Sequence, residues 1–296
     1  MLFERQKRLL TLLEILGGEV ASLEFQKLLF LYCQEEETPT YEFVPYKYGG
    51  FSFTSYADKR RLIERGLLAD EERTWKLTPA GRKAFSMAPS IRARMLQFSR
   101  LHSRLRGDVL VAEAYRRHPF YAIRSEMASR VLAGDSAALA AIAAARPGSK
   151  PGLFTIGYEG RSLENYLNQL LKSGITLLCD VRRNALSRKY GFAKSTLSRG
   201  CEGVGIRYEH LPELGISSDL RQGLKTEADY AALFGRYRRH SLPGQFLVLL
   251  RIRDWILAGA CVALTCYERL PSQCHRHCVA DALKSEFGQV FVPRHL

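Results

Sequence analysis

At 296 residues the chain is about twice the usual single-domain size, which favours two domains of roughly 150 residues each. Its 46% hydrophobic and 25% charged residues are those of an ordinary globular protein and exclude disordered, collagen-like and coiled-coil classes. The 44 Lys and Arg outnumber the 30 Asp and Glu, a net +14 that points to a polyanionic partner, with plain solubility as the bland alternative.

The N-terminus, MLFERQKRLL, lacks the layout of a signal peptide, and the seven scattered cysteines suit a reducing compartment, so a cytoplasmic location is expected. Leu9, Leu10, Leu12, Leu13 and Leu16 recur at helical spacing without reaching membrane-spanning length, and Gly17-Gly18 stops that helix. Ser22 opens a second helix through Phe25, Leu28, Leu29 and Leu31. Tyr41 to Phe53 is an aromatic, Gly-containing loop leading into a third helix, Tyr56 to Glu64. Residues 65–68, the polar stretch 69–74 and residues 75–82 then spell strand, wing turn, strand and closing helix of a winged helix. Through Gln26-Lys-Leu-Leu-Phe-Leu-Tyr32 and Pro45-Tyr-Lys-Tyr-Gly-Gly-Phe-Ser52 this region also resembles the Panacea (SocA-like antitoxin) group. Helical sequence continues from Ile91 to about Ala133, and a stretch with Pro147, Gly148, Lys150, Pro151 and Gly152 reads as a linker. The expected division is a winged-helix-like DNA-binding domain over 1–90, a helical extension and linker over 91–150, and an α/β catalytic domain over 151–296.

In that last segment strands alternate with helices: Leu153 to Ile156 (strand), Leu163 to Leu171 (helix), Ile175 to Val181 (strand), Lys194 to Gly200 (helix), Ile206 to Leu211 (strand) and Ala228 to Arg239 (helix). Phe246 to Leu250 opens a helix or a strand, Cys261 to Cys266 is a strand, Cys274 to Phe287 a helix and Val290 to Val292 a closing strand. The pattern implies a mostly parallel sheet with flanking helices, because parallel neighbours need crossover connections. Ligands bind such sheets beyond the carboxyl ends of the strands. Those ends carry Gly157 to Ser162, Cys179 to Arg183, Glu209 to Gly215 and Cys266 to Arg269, followed by Cys274-His275-Arg276. Between Arg182 and Arg207 seven basic residues face one acid, Glu202.

These motifs carry a second resemblance. Thr155-Ile-Gly-Tyr158, Arg161-Ser-Leu-Glu164, Asp180-Val-Arg182, Ser187-Arg188, Phe192, Gly205-Ile-Arg-Tyr208, His210-Leu-Pro-Glu-Leu-Gly215, Cys266-Tyr-Glu268 and Cys274-His-Arg276 look like the domain-of-unknown-function family numbered 488. Members usually have a proline where this chain has Ala185. The resemblance implies an α/β domain acting in DNA repair or defence, with some relatives working as DNA glycosylases on modified bases.

On the residues themselves, Asp180 is the foremost catalytic candidate. It ends a buried strand and either activates water and steadies an oxocarbenium-like transition state, or merely pairs with Arg182. Glu159, Glu268 and His275 complete the catalytic set. Arg182, Arg183 and Arg188 suit phosphate, and Arg161 with Ser162 at a helix start suits an anion. Tyr158, Tyr190, Phe192, Tyr208 and Tyr267 are candidates to stack an extruded base, or are packing. His210 and Glu213 contact substrate or shape a loop, and Ser187 and Arg276 join the substrate-binding set from the matching motifs. Cys266, Cys274, His275 and Cys278 invite a metal, but without a C-x-x-C pair structural cysteines are preferred, so no metal and no cofactor is expected. The expected function is a DNA-acting hydrolase, foremost a DNA N-glycosylase excising modified bases such as those of phage DNA. The alternatives are a metal-dependent DNA nuclease and a non-enzymatic DNA-binding regulator or antitoxin. The expected partner is DNA, including base-modified DNA, with no membrane.

Overall fold

The computed structural model describes residues 1–102, 104–148, 150–217 and 219–296. The chain forms two compact units, Met1–Arg146 and Pro147–Leu296. Among the described residues no helix is long and apolar enough to cross a membrane.

In the first unit, α1 (Glu4–Ile15) buries Leu9, Leu10, Leu12 and Leu13. Gly17 and Gly18, at φ +105° and +82°, end it in a conformation that side-chain-bearing residues rarely adopt and turn the chain into β1 (Glu19–Ala21). α2 (Ser22–Glu35) follows. The stretch expected as a loop is instead a hairpin, β2 (Val44–Tyr46) and β3 (Gly49–Phe51), paired Val44↔Phe51. Its aromatic residues favour extended pairing, and Gly49, at φ +86°, makes the tight return. α3 (Phe53–Glu64) starts where the Ser52 hydroxyl accepts a hydrogen bond from the Ser55 amide, 3.2 Å away. β4 (Thr74–Lys76) pairs antiparallel with β1, and Leu68 bridges Leu77, so residues 69–73 form the turn between two short arms.

α4 (Pro79–Lys83), α5 (Pro89–Leu101), α6 (Gly107–Arg117), α7 (Ala128–Val131) and α8 (Ser136–Ala144) complete the unit. Met95, Phe98, Leu110, Tyr115 and Ile142 share one core with Leu9, Phe25 and Trp75. Residues 91–146 are therefore not an extension beyond a 90-residue domain. They supply part of the single apolar core of this unit. His102 is buried with Nδ1 2.9 Å from the Phe98 carbonyl oxygen.

The second unit runs β5 (Gly152–Gly157), α9 (Leu163–Lys172), β6 (Leu177–Asp180), α10 (Lys194–Gly203), β7 (Arg207–His210), α11 (Glu227–Arg236), α12 (Phe246–Leu257), β8 (Cys261–Cys266), α13 (Arg276–Phe287) and β9 (Arg294–His295). The strands lie in the order β7-β6-β8-β5-β9, every pair parallel. β5, β6 and β8 are buried along their whole length, as expected of strands covered on both faces. Leu153, Leu177, Cys179, Val262, Leu264 and Cys266 pack with α11, α12 and α13. Alternation puts Ile156, Leu178, Asp180 and Thr265 on the opposite face, where the Tyr166 hydroxyl of α9 donates to Thr265 Oγ1 at 2.7 Å. The closing strand lies at 294–295, not at 290–292. Pro293 lacks an N–H for a ladder through its own position, and Phe291 is buried against Phe287 at a ring distance of 5.7 Å.

Connections after β5 and β6 run over the α9 and α10 face, whereas those after β7 and β8 run over the other. The end of β8, between β6 and β5, is thus the switch point at which an open sheet offers a crevice.

Candidate active site at the carboxyl edge of the sheet

The Asp180 side chain is fully buried beneath α9 and α10. Its Oδ1 accepts from the Arg182 amide (3.2 Å) and Nε (2.8 Å), and its Oδ2 from Arg182 Nη2 (2.5 Å) and the Tyr208 hydroxyl (2.6 Å). Arg182 Nη1 donates onward to the Tyr158 hydroxyl at 2.8 Å and the Phe192 carbonyl at 2.9 Å. Burial opposes the charge on Arg182, but the Asp180 hydrogen bonds and charge outweigh it and hold the guanidinium above its ordinary range. The Tyr208 hydroxyl is pushed up by burial and by the Asp180 charge. The carboxylate's accepting positions are thus occupied by protein donors.

That arrangement corrects the expected roles of several residues. Asp180 anchors an ion-pair network and is not an open base, and Arg182 is committed to it and not to phosphate. Tyr158 and Phe192 are buried and stack on each other, ring centroids 4.3 Å apart at 8°, so neither is a platform for a base. The Ser162 hydroxyl caps α9, accepting from the Asn165 amide at 3.0 Å. Arg276 is 1% exposed and donates to the Glu268 and Arg269 carbonyls, fixing that loop. His210 Nε2 lies 2.8 Å from the Arg182 carbonyl oxygen, holding the loop in turn.

On the other face, at the end of β8, a second group converges. Cys266 Sγ lies 3.5 Å from Glu268 Oε2 and 3.8 Å from His275 Nδ1. Arg221 reaches both neighbours, with Nη2 3.1 Å from His275 Nδ1 and Nη1 3.8 Å from Glu268 Oε1. The hydrogen bond from Cys274 holds Cys266 well below the usual thiol range against its burial, while burial and Cys266 push Cys274 up. Burial, then the Cys266 charge, raises Glu268, whose side chain remains 23% exposed. Cys278 stands apart beside His277, and burial pushes it up to about 11.

The structure thus brings Glu268 and His275 together and leaves Asp180 on the opposite face, with the Val181 carbonyl, 2.9 Å from His275 Nε2, between them. Glu159 is at the rim, its Oε2 accepting from the Arg269 amide at 2.9 Å. Arg161 is half-buried, and burial followed by the Arg269 charge lowers it. Ser187 accepts from the Lys189 amide at 3.2 Å. Arg183 and Glu213 line a cleft of about 560 Å³ with Tyr237 and His240. Arg188 and Tyr267 are exposed. Sequence reasoning missed Arg221, which lies in a short turn with no motif around it, and placed Cys266 among inert cysteines.

Two loops are held at closest approach by glycine. A Cβ on Gly157 would sit 1.9 Å from the Glu268 carbonyl oxygen. Gly157→Ala is expected to cost about 1–3 kcal/mol through overpacking. A thermal melt tests this, and an unchanged midpoint would mean that the Glu268 loop yields freely.

Residues 162–283 match the family model described as Domain of unknown function DUF488. The matched stretch runs from the cap of α9 into α13 and contains Asp180, Arg221, Cys266, Glu268, Cys274 and His275. No curated protein matches the chain, and no solved structure does.

Proposed function

We propose that the chain acts on DNA, the first unit holding the duplex and the second hydrolysing a bond in it, with excision of a modified base as the reaction. The observation that carries this reading is the composition of the loops at the carboxyl edge of the sheet, after β6 and β8. Leu186, Tyr190, Tyr267 and Leu270 are exposed there among Arg183, Arg188, Lys189 and Arg269. The loops bearing them touch: Lys189 Nζ donates to the Tyr158 carbonyl at 3.1 Å, and Tyr267 meets Tyr158 edge-on at 5.3 Å. Exposed aromatic and aliphatic groups among cations suit an unstacked base beside its phosphates.

In base excision the bond from C1′ to the base nitrogen breaks, water oxygen joins C1′, and the base leaves with a proton. Asp180 is saturated, and among the edge carboxylates Glu268, 23% exposed beside Cys266 and His275, is the one we assign to direct that water. In the first unit β1, α2, α3 and β4 with the turn before it support a winged-helix reading, the β2–β3 hairpin being inserted between the two helices, with Arg60, Arg61, Arg65 and Arg73 exposed on α3, just after it and on the turn.

The test incubates purified protein with plain and base-substituted duplexes and looks for strand breaks that appear only after alkali. Such breaks, reduced about 100-fold or more by Glu268→Gln, are the expected result. Direct breaks that depend on added Mg²⁺ would make the protein a nuclease, and binding without breaks a regulator. Either outcome overturns base excision.

A further inference from the structure

We propose that Cys266, Cys274 and His275 form a binding site for a thiophilic divalent cation, with the fourth position open beside Glu268, and that zinc is the ion the donor set suits best. One sulfur or nitrogen atom from each of the first three lies within 4.8 Å of the others. Tetrahedral zinc, with bonds of about 2.0–2.3 Å, needs donor separations of roughly 3.5 Å, so closing the group takes side-chain rotation and little backbone movement. Two thiolates and an imidazole form a soft set that favours zinc over calcium or magnesium.

The histidine is already oriented for this. Its Nε2, 2.9 Å from the Val181 carbonyl oxygen, is the protonated nitrogen, because a carbonyl can only accept. Nδ1 then carries the lone pair, and it faces Cys266 Sγ at 3.8 Å. A backbone carbonyl fixing the tautomer of a ligating histidine from behind is a recurrent device in metal sites.

The ligands also sit on a stiff frame. Cys266, Cys274 and His275 are 0%, 1% and 1% exposed. Cys266 ends the central strand, and Cys274 and His275 immediately precede α13. The intervening loop is tied back by Arg276 to the Glu268 and Arg269 carbonyls. Glu268 Oε2 stands beside the group, 3.5 Å from Cys266 Sγ.

Arg221 currently provides the positive charge that this donor set calls for. Its guanidinium meets His275 Nδ1 at 3.1 Å and Glu268 at 3.8 Å, so it competes with a bound ion. It is carried by the short turn Asp219–Arg221, and its side chain is 31% exposed, which leaves it room to swing out as the ion enters. Binding forms two sulfur–metal bonds and one nitrogen–metal bond, with the thiol protons passing to solvent and no change of oxidation state.

The test uses the full chain, freed of metal by chelator under reducing conditions and titrated with Co²⁺ and then Zn²⁺. One equivalent of Co²⁺ is expected to give the visible bands of tetrahedral thiolate ligation, and Zn²⁺ to abolish them. Cys266→Ser and Cys274→Ser should each weaken binding about 100-fold or more, and His275→Ala at least tenfold. Cys278→Ser should leave it unchanged. Arg221→Ala should tighten it several-fold, a gain that a damaged fold would not produce. Absence of the bands in the unaltered chain would overturn the site, as would bands that survive Cys266→Ser or a Cys266–Cys274 disulfide in protein purified under nitrogen. The readout is metal binding alone, so its failure and that of the DNA reading are separable.

Discussion

Asp180→Asn is expected to destabilise the second unit by about 3–5 kcal/mol, the cost of leaving a buried guanidinium without its counter-charge. Arg182 is 5% exposed and donates to both Asp180 oxygens, to Tyr158 and to Phe192, so it cannot turn to water without releasing the loop after β6. Asparagine keeps the shape but presents an amide where a donor now points. Tyr208→Phe removes one neutral donor and should cost only about 1 kcal/mol. Urea denaturation of the three proteins compares these losses. A near-normal stability for Asp180→Asn with turnover abolished would return Asp180 to the catalytic group.

Lys27→Met should have the opposite sign. Lys27 is 2% exposed, and Nζ donates to the Gly50 carbonyl at 3.1 Å on the wall of a pocket of about 480 Å³ lined by Tyr46, Phe51 and Tyr56. Burial lowers it from 10.5 to about 7. The unfolded chain therefore holds one more proton than the folded chain between about pH 7 and 10.5, and stability rises with pH across that window. Below it both states are charged and the burial cost is felt in full. Methionine removes the charge and keeps the volume, so the variant should be about 1–4 kcal/mol more stable at pH 7. The gain should shrink by pH 9.5. Parallel denaturation curves at the two pH values decide it, and a variant less stable at both would show that the amine makes a favourable contact as a cation.

The legible parts of this chain were those where local pattern and burial coincide. β5, α9, β6, α10, β7 and β8 fall within a few residues of expectation, because a continuous apolar run in a strand and a 3.6-residue stripe in a helix are both local signals. Phe246 to Leu250 was ambiguous for the same reason: five apolar residues suit either state, and only packing onto β8 and α13 makes them α12. β9 depends on its partner Phe154 in β5, 140 positions before Arg294, and leaves almost no trace in its own residues. The gathering of these polar groups at the strand ends was legible, because it follows from the alternation of strands and helices, but their mutual contacts were not. Nothing in Asp-Val-Arg says that the arginine folds back onto the aspartate two positions earlier. Nothing around Arg221 says that it reaches His275.

β9 gives the second unit one further property. Arg294 and His295 are exposed, yet they occupy the outer row of β5, with the Leu296 amide donating to the Thr155 carbonyl at 2.9 Å and Thr155 Oγ1 paired to His295 Nδ1 at 2.7 Å. So short a clasp lifts far more readily than the sheet melts. Each time it does, a strand that is otherwise wholly interior shows a bare ladder to any extended segment nearby. One edge of this sheet is thus guarded by a two-residue strand, while β7 forms the other edge.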